Sequence, residues 1–246
     1  MSKFLFLVAC AWAGPKIVST SPQVTELLFQ LGKGGDVIAT SDFSDFPAAA
    51  KKIPRIGMPF AYGVETIARF QPQWVLTEPN AAPPMIEKGL EALQVRHLSI
   101  PIRTVAAVYS QSERILSEIY AEKNRPLRIA LPRAQSEFTF LAFSWLDPPI
   151  LFGHTSFLSD LLAKVGGKNA LPKDWKNPYP KISLEWLIKQ KVSRIYFIAY
   201  ADQTMDKAFS MADFWWPVGK PKIIGLPELF SRASFTPLEH AQELLP

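Results

Sequence analysis

Two stretches of this chain, about 120 residues apart, spell the same structural sentence, and any fold for it has to contain that sentence twice. The first runs from Glu65 through Ile67 and Ala68 to Pro72, then Trp74, Val75 and Leu76. The second runs from Glu185 through Leu187 and Ile188 to Val192, then Arg194, Ile195 and Tyr196. Each puts a carboxylate in the first turn of a short amphipathic helix, continues for about two turns and then enters an apolar strand. A second matched pair lies upstream: Glu26, Leu27, Leu28, Leu31 and Gly32 against Asp160, Leu161, Leu162, Val165 and Gly166. Both members carry an acid, an apolar pair and a glycine stop, in the same order. The chain therefore reads as two related lobes of roughly 100–120 residues each.

Between the repeats, apolar residues fall at Val105, Val108, Ile115, Leu116, Ile119 and Tyr120. This is helical spacing from Thr104 to about Glu122, and it predicts one long rigid connector. The expected organisation is a signal segment over 1–13, an N-terminal α/β lobe over 14–103, a connecting helix and linker over 104–137, and a C-terminal α/β lobe over 138–246. Within each lobe, strands alternate with helices. Ile17–Ser19 and Asp36–Thr40 flank a helix capped by Ser21 with Pro22 at its first position. Phe138–Phe143 reads as a buried strand, followed by a Pro-rich loop over Trp145–Pro149, a helix from about Ser156 to Val165 and another from Ser183. Arg194–Ile198 and Pro221–Ile224 read as further strands, and a C-terminal helix is expected through Leu238, Ala241 and Leu244. Such alternation predicts α/β architecture: two Rossmann-like lobes with parallel sheets, joined by one long helix, with a ligand cleft between the lobes. The stretch 125–137, with Pro126 and Pro132, matches no regular element.

Composition excludes several classes. Hydrophobic residues make up 48% of the chain, ample for packed cores, and the 17 Phe and 7 Trp exceed what those cores need, so some aromatics should line a surface. The net charge of +5 carries no basic run, which argues against nucleic-acid binding. His97, His154 and His240 have no metal-ligand spacing, and the single cysteine leaves no thiolate site. No phosphate-loop, dinucleotide or nucleophile-elbow motif occurs, so catalysis finds no support. Lys3, a short apolar run and Ala11-x-Ala13 resemble a secretory signal cut after Ala13. Leu7 to Cys10 also fits a lipoprotein cleavage box, which would make Cys10 the lipidated residue.

The candidate contact residues sit on loops. Ligands of parallel sheets lie beyond the strands' carboxyl ends, which brings forward Phe43 and Phe46 in the loop 41–47, and Phe60, Trp145 and Tyr179 on Pro-rich loops. Glu228 and Arg232, four residues apart, make either a simple surface ion pair or contacts to amide and hydroxyl groups of a ligand. Glu65 and Glu185 each favour their own helix dipole. As a matched pair they also suit two equivalent basic pockets on a two-fold symmetric partner.

Together these residues resemble the cobalamin-type periplasmic receptors of ABC importers, within the group of siderophore, haem and corrinoid receptors whose lobes are joined by a single helix. The resemblance covers nearly all of the expected mature chain. Ser19, Ser21, Pro22, Thr25 and Glu26 resemble the group's opening strand and helix, and Ser41 to Pro47 its first binding loop, with Phe43 on an aromatic ligand contact. Tyr179 between Pro178 and Pro180 falls where cobalamin receptors hold an aromatic over the ligand. Phe230-x-Arg232-Ala233-Ser234 resembles their C-terminal motif, with Glu228 on the acidic position before it. Tryptophans that members place over the corrin are replaced here, by Pro59 and Phe60 in one region and Glu78 in another.

The resemblance implies a non-enzymatic, exported, monomeric receptor in the periplasm or cell envelope. It would have no cofactor and would bind cobalamin or a related metal chelate through Phe43, Phe60, Glu78, Trp145, Tyr179, Glu228 and Arg232. Glu65 and Glu185 would dock on arginines of a permease dimer in the inner membrane. The alternatives are a ferric-siderophore or haem receptor of the same fold, for which Tyr179 is the axial-ligand candidate, and an exported α/β enzyme acting on a hydrophobic substrate.

Overall fold

The computed structural model describes residues 14–58, 61–79, 86–200, 205–216 and 219–246. Cys10, Phe60 and the whole of the expected signal segment lie outside them. The chain divides into two compact units, 1–99 and 100–246.

The first unit is built on four short parallel strands: β1 (Ile17–Ser19), β2 (Val37–Thr40), β3 (Trp74–Thr77) and β4 (Arg96–Ser99), in the order β2-β1-β3-β4. Helix α1 (Pro22–Gln30) crosses from β1 to β2, α2 (Val64–Ala68) leads toward β3, and α3 (Ile86–Ala92) leads to β4. As the sequence suggested, Ser21 caps α1, accepting from the Val24 N–H at 3.3 Å, with Pro22 in the first turn. Gly32 ends it at φ 73°, a left-handed conformation for which glycine has no steric penalty. Val18, Ala39, Ile56, Ile67, Val75 and Leu90 form the core on one side of this sheet.

The second unit repeats the plan. Its strands are β5 (Phe138–Trp145), β6 (Ile150–Leu151), β7 (Gly167–Asn169), β8 (Arg194–Ala199) and β9 (Lys222–Pro227). With the two-residue β6 set aside, the path β7-β5-β8-β9 is all parallel and matches β2-β1-β3-β4 strand for strand. Helices α5 (Phe157–Lys164), α6 (Leu184–Ile188) and α7 (Met205–Trp215) take the places of α1, α2 and α3. Ser156 caps α5 as Ser21 caps α1, and Gly166 (φ 107°) closes it as Gly32 does. The duplication legible in the repeats is thus a duplication of topology. Leu141, Phe143, Leu187, Ile195, Phe197 and Trp215 centre the core, where the Phe143 and Trp215 rings stack at 5.4 Å.

The long helix α4 (Val105–Tyr120) starts at the Thr104 cap and runs 16 residues, about 24 Å. It falls within the second unit, where Val105 N–H donates to the Asp160 carboxylate at 2.7 Å and Tyr109 meets Phe235 edge-on at 5.3 Å. The segment 121–137 has no regular element; Arg128 lies over the Tyr109 ring at 4.1 Å, and Ile129 N–H donates to the Tyr109 hydroxyl at 2.9 Å.

Three expectations need correction. Trp145 is the last residue of β5 rather than a loop residue, because the chain turns at once into antiparallel β6. Helices α2 and α6 are five residues long, shorter than two turns. The C-terminal helix is two pieces, α8 (Thr236–Glu239) and a 3₁₀ turn over Ala241–Leu244. Its apolar residues recur every third position, the period of the tighter helix.

Candidate functional site

In each unit the residues with recognition chemistry gather where strands end. In the first, the loop after β2 buries every third side chain and exposes the two between. Ser41 and Ser44 are fully buried, while Phe43 and Phe46 stand 54% and 43% exposed. The inward pair is fastened from below. The Ser44 hydroxyl meets those of Thr40 and Ser41 at 2.8 and 2.9 Å, and Thr40 meets Thr25 at 2.6 Å. Thr25 in turn reaches Ser19 at 2.9 Å. The Arg55 guanidinium donates to the Ser41 and Ser44 carbonyls at 2.8 and 2.9 Å. Buried hydroxyls need hydrogen-bond partners, which these supply to one another, and the result is a stiff platform carrying exposed Phe43. Glu78 follows directly on the end of β3 and is half-buried. Tyr62 is buried nearby in sequence, and that burial raises its phenol pKa while the Thr20 hydroxyl opposes the rise.

The second unit supplies the richer cluster. Tyr179 is held by its loop: its N–H donates to Asn177 Oδ1 at 2.9 Å, and its ring edge meets Phe152 at 5.8 Å. The loop itself is drawn in by Gly153, whose N–H donates to the Pro178 carbonyl at 2.8 Å. A Cβ at position 153 would stand 2.2 Å from the Asn177 carbonyl oxygen, so only glycine permits this approach. Tyr179 is left 50% exposed.

Beside it lie the ends of β8 and β9, paired through Ala199 and Pro227, so that the next residues, Tyr200 and Glu228, are neighbours across the sheet edge. Glu228 opens a 3₁₀ turn whose following residue, Arg232, donates from Nη2 to Glu228 Oε1 at 3.1 Å. The Arg232 side chain is only 14% exposed and that of Glu228 49%, so the pair is anchored on its basic member. Burial pushes the Tyr200 phenol pKa above the ordinary tyrosine range; the Ser231 hydroxyl opposes the rise, while Glu228 and Tyr179 add to it. Tyr179, Tyr200, Glu228, Ser231 and Arg232 therefore form one patch.

Tyr200 was missed from sequence, because the strand was expected to end at Ile198; only the register with β9 shows its setting. Trp145, 37% exposed, ends β5, and its indole N–H is spent on the Asp147 carbonyl at 2.9 Å, leaving only its ring face for contact.

Glu65 and Glu185 are both exposed in the first turns of α2 and α6. A hollow of about 430 Å³ is lined by Leu184, the residue before Glu185 in the chain, with Leu146, Asp147, Met211 and Phe214 among others. Among the described residues no group of three or more His, Cys, Asp or Glu side chains is placed to hold a metal ion, and no helix is long and apolar enough to cross a membrane.

No family model matches the chain. It is 27% identical over 252 residues to the vitamin B12-binding protein of Yersinia pestis (strain Pestoides F), covering 95% of this chain and 86% of that one. Among solved structures it resembles the periplasmic vitamin B12-binding protein BtuF of Vibrio cholerae, with a TM-score of 0.72 and 17% identity over 94% of this chain and 95% of that chain. The periplasmic haem-binding protein HutB of Vibrio cholerae is similar too, with a TM-score of 0.71 and 17% identity over 93% and 96%. The α/β fold is that of the two-lobed periplasmic binding proteins, and these similar proteins belong to the receptor group that the sequence resembles.

Proposed function

We propose that this chain is an exported, non-enzymatic substrate-binding protein of an ABC importer that captures a corrinoid and delivers it to a permease. The observation that carries the reading is the patch of Tyr179, Tyr200, Glu228 and Arg232 at a strand-end face, in a chain similar over 95% of its length to proteins named for vitamin B12. A flat, bulky chelate needs broad apolar contact and a few fixed polar groups. Tyr179 and Phe43 offer the first, each half-exposed on a loop braced by hydrogen bonds. Glu228, Arg232 and Glu78 offer the second, with Phe60 and the Trp145 ring face as further apolar contacts. Glu65 and Glu185 would be the carboxylates that the permease arginines grip. The chain needs no cofactor for this role and would act as a monomer in the periplasm or cell envelope, with Cys10 as the candidate site of lipid attachment.

The test is calorimetric titration with cyanocobalamin, dicyanocobinamide, haemin and a ferric siderophore. A dissociation constant in the micromolar range or tighter for the corrinoids, with the others at least about tenfold weaker, is expected. Exclusive binding of haemin or the siderophore would overturn the corrinoid reading. A haem receptor is the second reading, favoured by the half-exposed Tyr179 phenol and by the haem-binding fold neighbours. Tight haemin binding lost in Tyr179→Phe would establish it.

A further inference from the structure

The outward face of α6 joins a carboxylate to an apolar wall. Leu184, Ile188, Glu185 and Lys189 follow one another, in that order, around about 140° of the helix, and all four are exposed. Leu187 turns into the core, and Trp186 packs on Trp175 at 5.7 Å. Leu184, at the edge of this arc, is also a wall of the hollow of about 430 Å³. Helix α7 supplies another wall with Ser210, Met211 and Phe214, which share one face by their spacing of three and four. Phe214 is 79% exposed, the most exposed aromatic among the described residues. The walls are fixed. The Trp215 ring stacks on Phe143 at 5.4 Å, and the Trp216 indole N–H donates to the Gln190 carbonyl at 3.2 Å, tying the end of α7 to the chain just beyond α6. The hollow also carries a charge: Asp147 lines it, and among the described residues no cation pairs with its carboxylate. In the first unit the matching place is closed. Val64 precedes Glu65 as Leu184 precedes Glu185, but a Cβ on Gly89 of α3 would stand 2.6 Å from Val64 Cγ2, and Ala68 stands where the second unit has Ile188.

We propose that this hollow seats an apolar side chain of the permease, carried on the same segment as the arginine that grips Glu185, with a second basic residue of that segment meeting Asp147. The proposal rests on the docking role of Glu185 and deepens it by adding an apolar anchor beside the ion pair. Continuity selects this occupant: Leu184 is both a wall of the hollow and the chain neighbour of Glu185, so a segment that reaches the carboxylate runs along the opening. Charge selects it too, because Asp147 and Glu185 mark two sides of the apolar ground and both call for a cation. An apolar centre with a charged rim is the usual build of a protein interface, and one aromatic beside a preformed pocket is where its affinity concentrates. The two docking faces are then unequal. The first unit offers its carboxylate with Val64 already spent against α3, whereas the second offers a carboxylate and a seat.

The experiment measures docking of the purified protein on the importer reconstituted in nanodiscs. Phe214→Ala removes a wall and Ser210→Trp fills the space. Each should weaken docking about 10-fold, and because both positions are exposed, thermal unfolding should show a native fold. Asp147→Asn should weaken docking about threefold, most clearly at low salt. All three variants should bind cyanocobalamin within about twofold of the unaltered protein. Docking unmoved by both Phe214→Ala and Ser210→Trp overturns the proposal, and if the double reversal Glu65→Arg with Glu185→Arg still abolishes docking, the permease reading of the two acids survives it. No docking of the unaltered protein, or docking indifferent to that double reversal, removes the docking role and the apolar seat together. Sedimentation velocity should show a monomer; a dimer dispersed by Ser210→Trp would assign the hollow to a second copy of the chain and overturn the proposal. Loss of cyanocobalamin affinity in Phe214→Ala would do the same by assigning the hollow to the ligand.

Discussion

The helices that carry Glu65 and Glu185 occupy equivalent places in the two units, yet they hold their carboxylates differently. At the start of α2 the cap position is Gly63, which has no side chain to offer the first amides. The Glu65 Oε2 lies 2.8 Å from where a Cβ on Gly63 would stand, folded back toward the helix start. At the start of α6 the cap is Ser183, whose hydroxyl accepts from the Trp186 N–H at 3.3 Å. Glu185 pairs with Lys189 at 2.7 Å, whereas Glu65 is folded toward Gly63 although Arg69 stands four residues after it in the same relation. Duplication has preserved the place of the acid and changed its partners. One carboxylate lies close to its helix's N-terminus, where the dipole favours it, and the other is paired with a lysine one turn along.

The proposal that the two acids act together despite this difference is broken or upheld by reversing both. Glu65→Arg with Glu185→Arg should lower corrinoid uptake in whole cells at least about 100-fold, since two attractive contacts become repulsive. The affinity for cyanocobalamin measured on the same purified variant should stay within about twofold of the unaltered protein. Loss of ligand affinity would show that these carboxylates serve the binding face rather than a docking surface.

How much of this was legible beforehand differs by element, for physical reasons. The caps and stops were readable because Ser21, Ser156, Gly32 and Gly166 act through local backbone chemistry that the next three residues complete. The strands β5 and β8 announced themselves as apolar runs, as strands buried on both faces must. Strand β7, Gly167–Asn169, has no apolar residue at all and exists because its backbone pairs with Phe138–Phe140; nothing local requires it. Helix α7 stayed hidden because exposed Phe209 and Phe214 blur the contrast with buried Ala208, Ala212 and Trp215. At the candidate site, Tyr179, Glu228 and Arg232 were found through the motifs around them. Tyr200 has no motif, and it acquires meaning only from a neighbour 28 positions further along the chain (200 to 228).

A smaller effect sharpens the contrast between the caps themselves. Ser183→Ala removes a side-chain acceptor from the start of α6 and should cost about 1 kcal/mol in urea unfolding, with no change in the m-value. Gly63→Ser is the counterpart on α2. Its backbone φ of −100° suits any residue, and the only atom a new Cβ meets within 3 Å is the end of the flexible Glu65 side chain. The new hydroxyl would supply the side-chain acceptor that this helix start lacks. Stability should therefore hold or rise by a few tenths of a kcal/mol. A loss of about 1 kcal/mol in Gly63→Ser would mean that the close approach to Glu65 outweighs the gain from the new cap.

The smallest effect tests whether Lys189 restrains Glu185. An i,i+4 pair between exposed side chains is worth well under about 1 kcal/mol, because water screens it and ordering two long side chains opposes it. Lys189→Ala should accordingly leave thermal stability almost unchanged. Its consequence is expected at the transporter, where Glu185 would no longer have to exchange a lysine for a permease arginine. Affinity for the reconstituted importer should rise about two- to threefold, most clearly at low salt, where the competing charge is least screened. Arg69→Ala in the first unit serves as the control, because Glu65 is turned toward Gly63 rather than toward Arg69, and should change docking less. Equal gains from both substitutions would point to a general excess of positive charge repelled by the permease. A gain confined to Lys189→Ala would show that the two acids, equivalent by descent of the fold, are set to different strengths by the residue one turn further along.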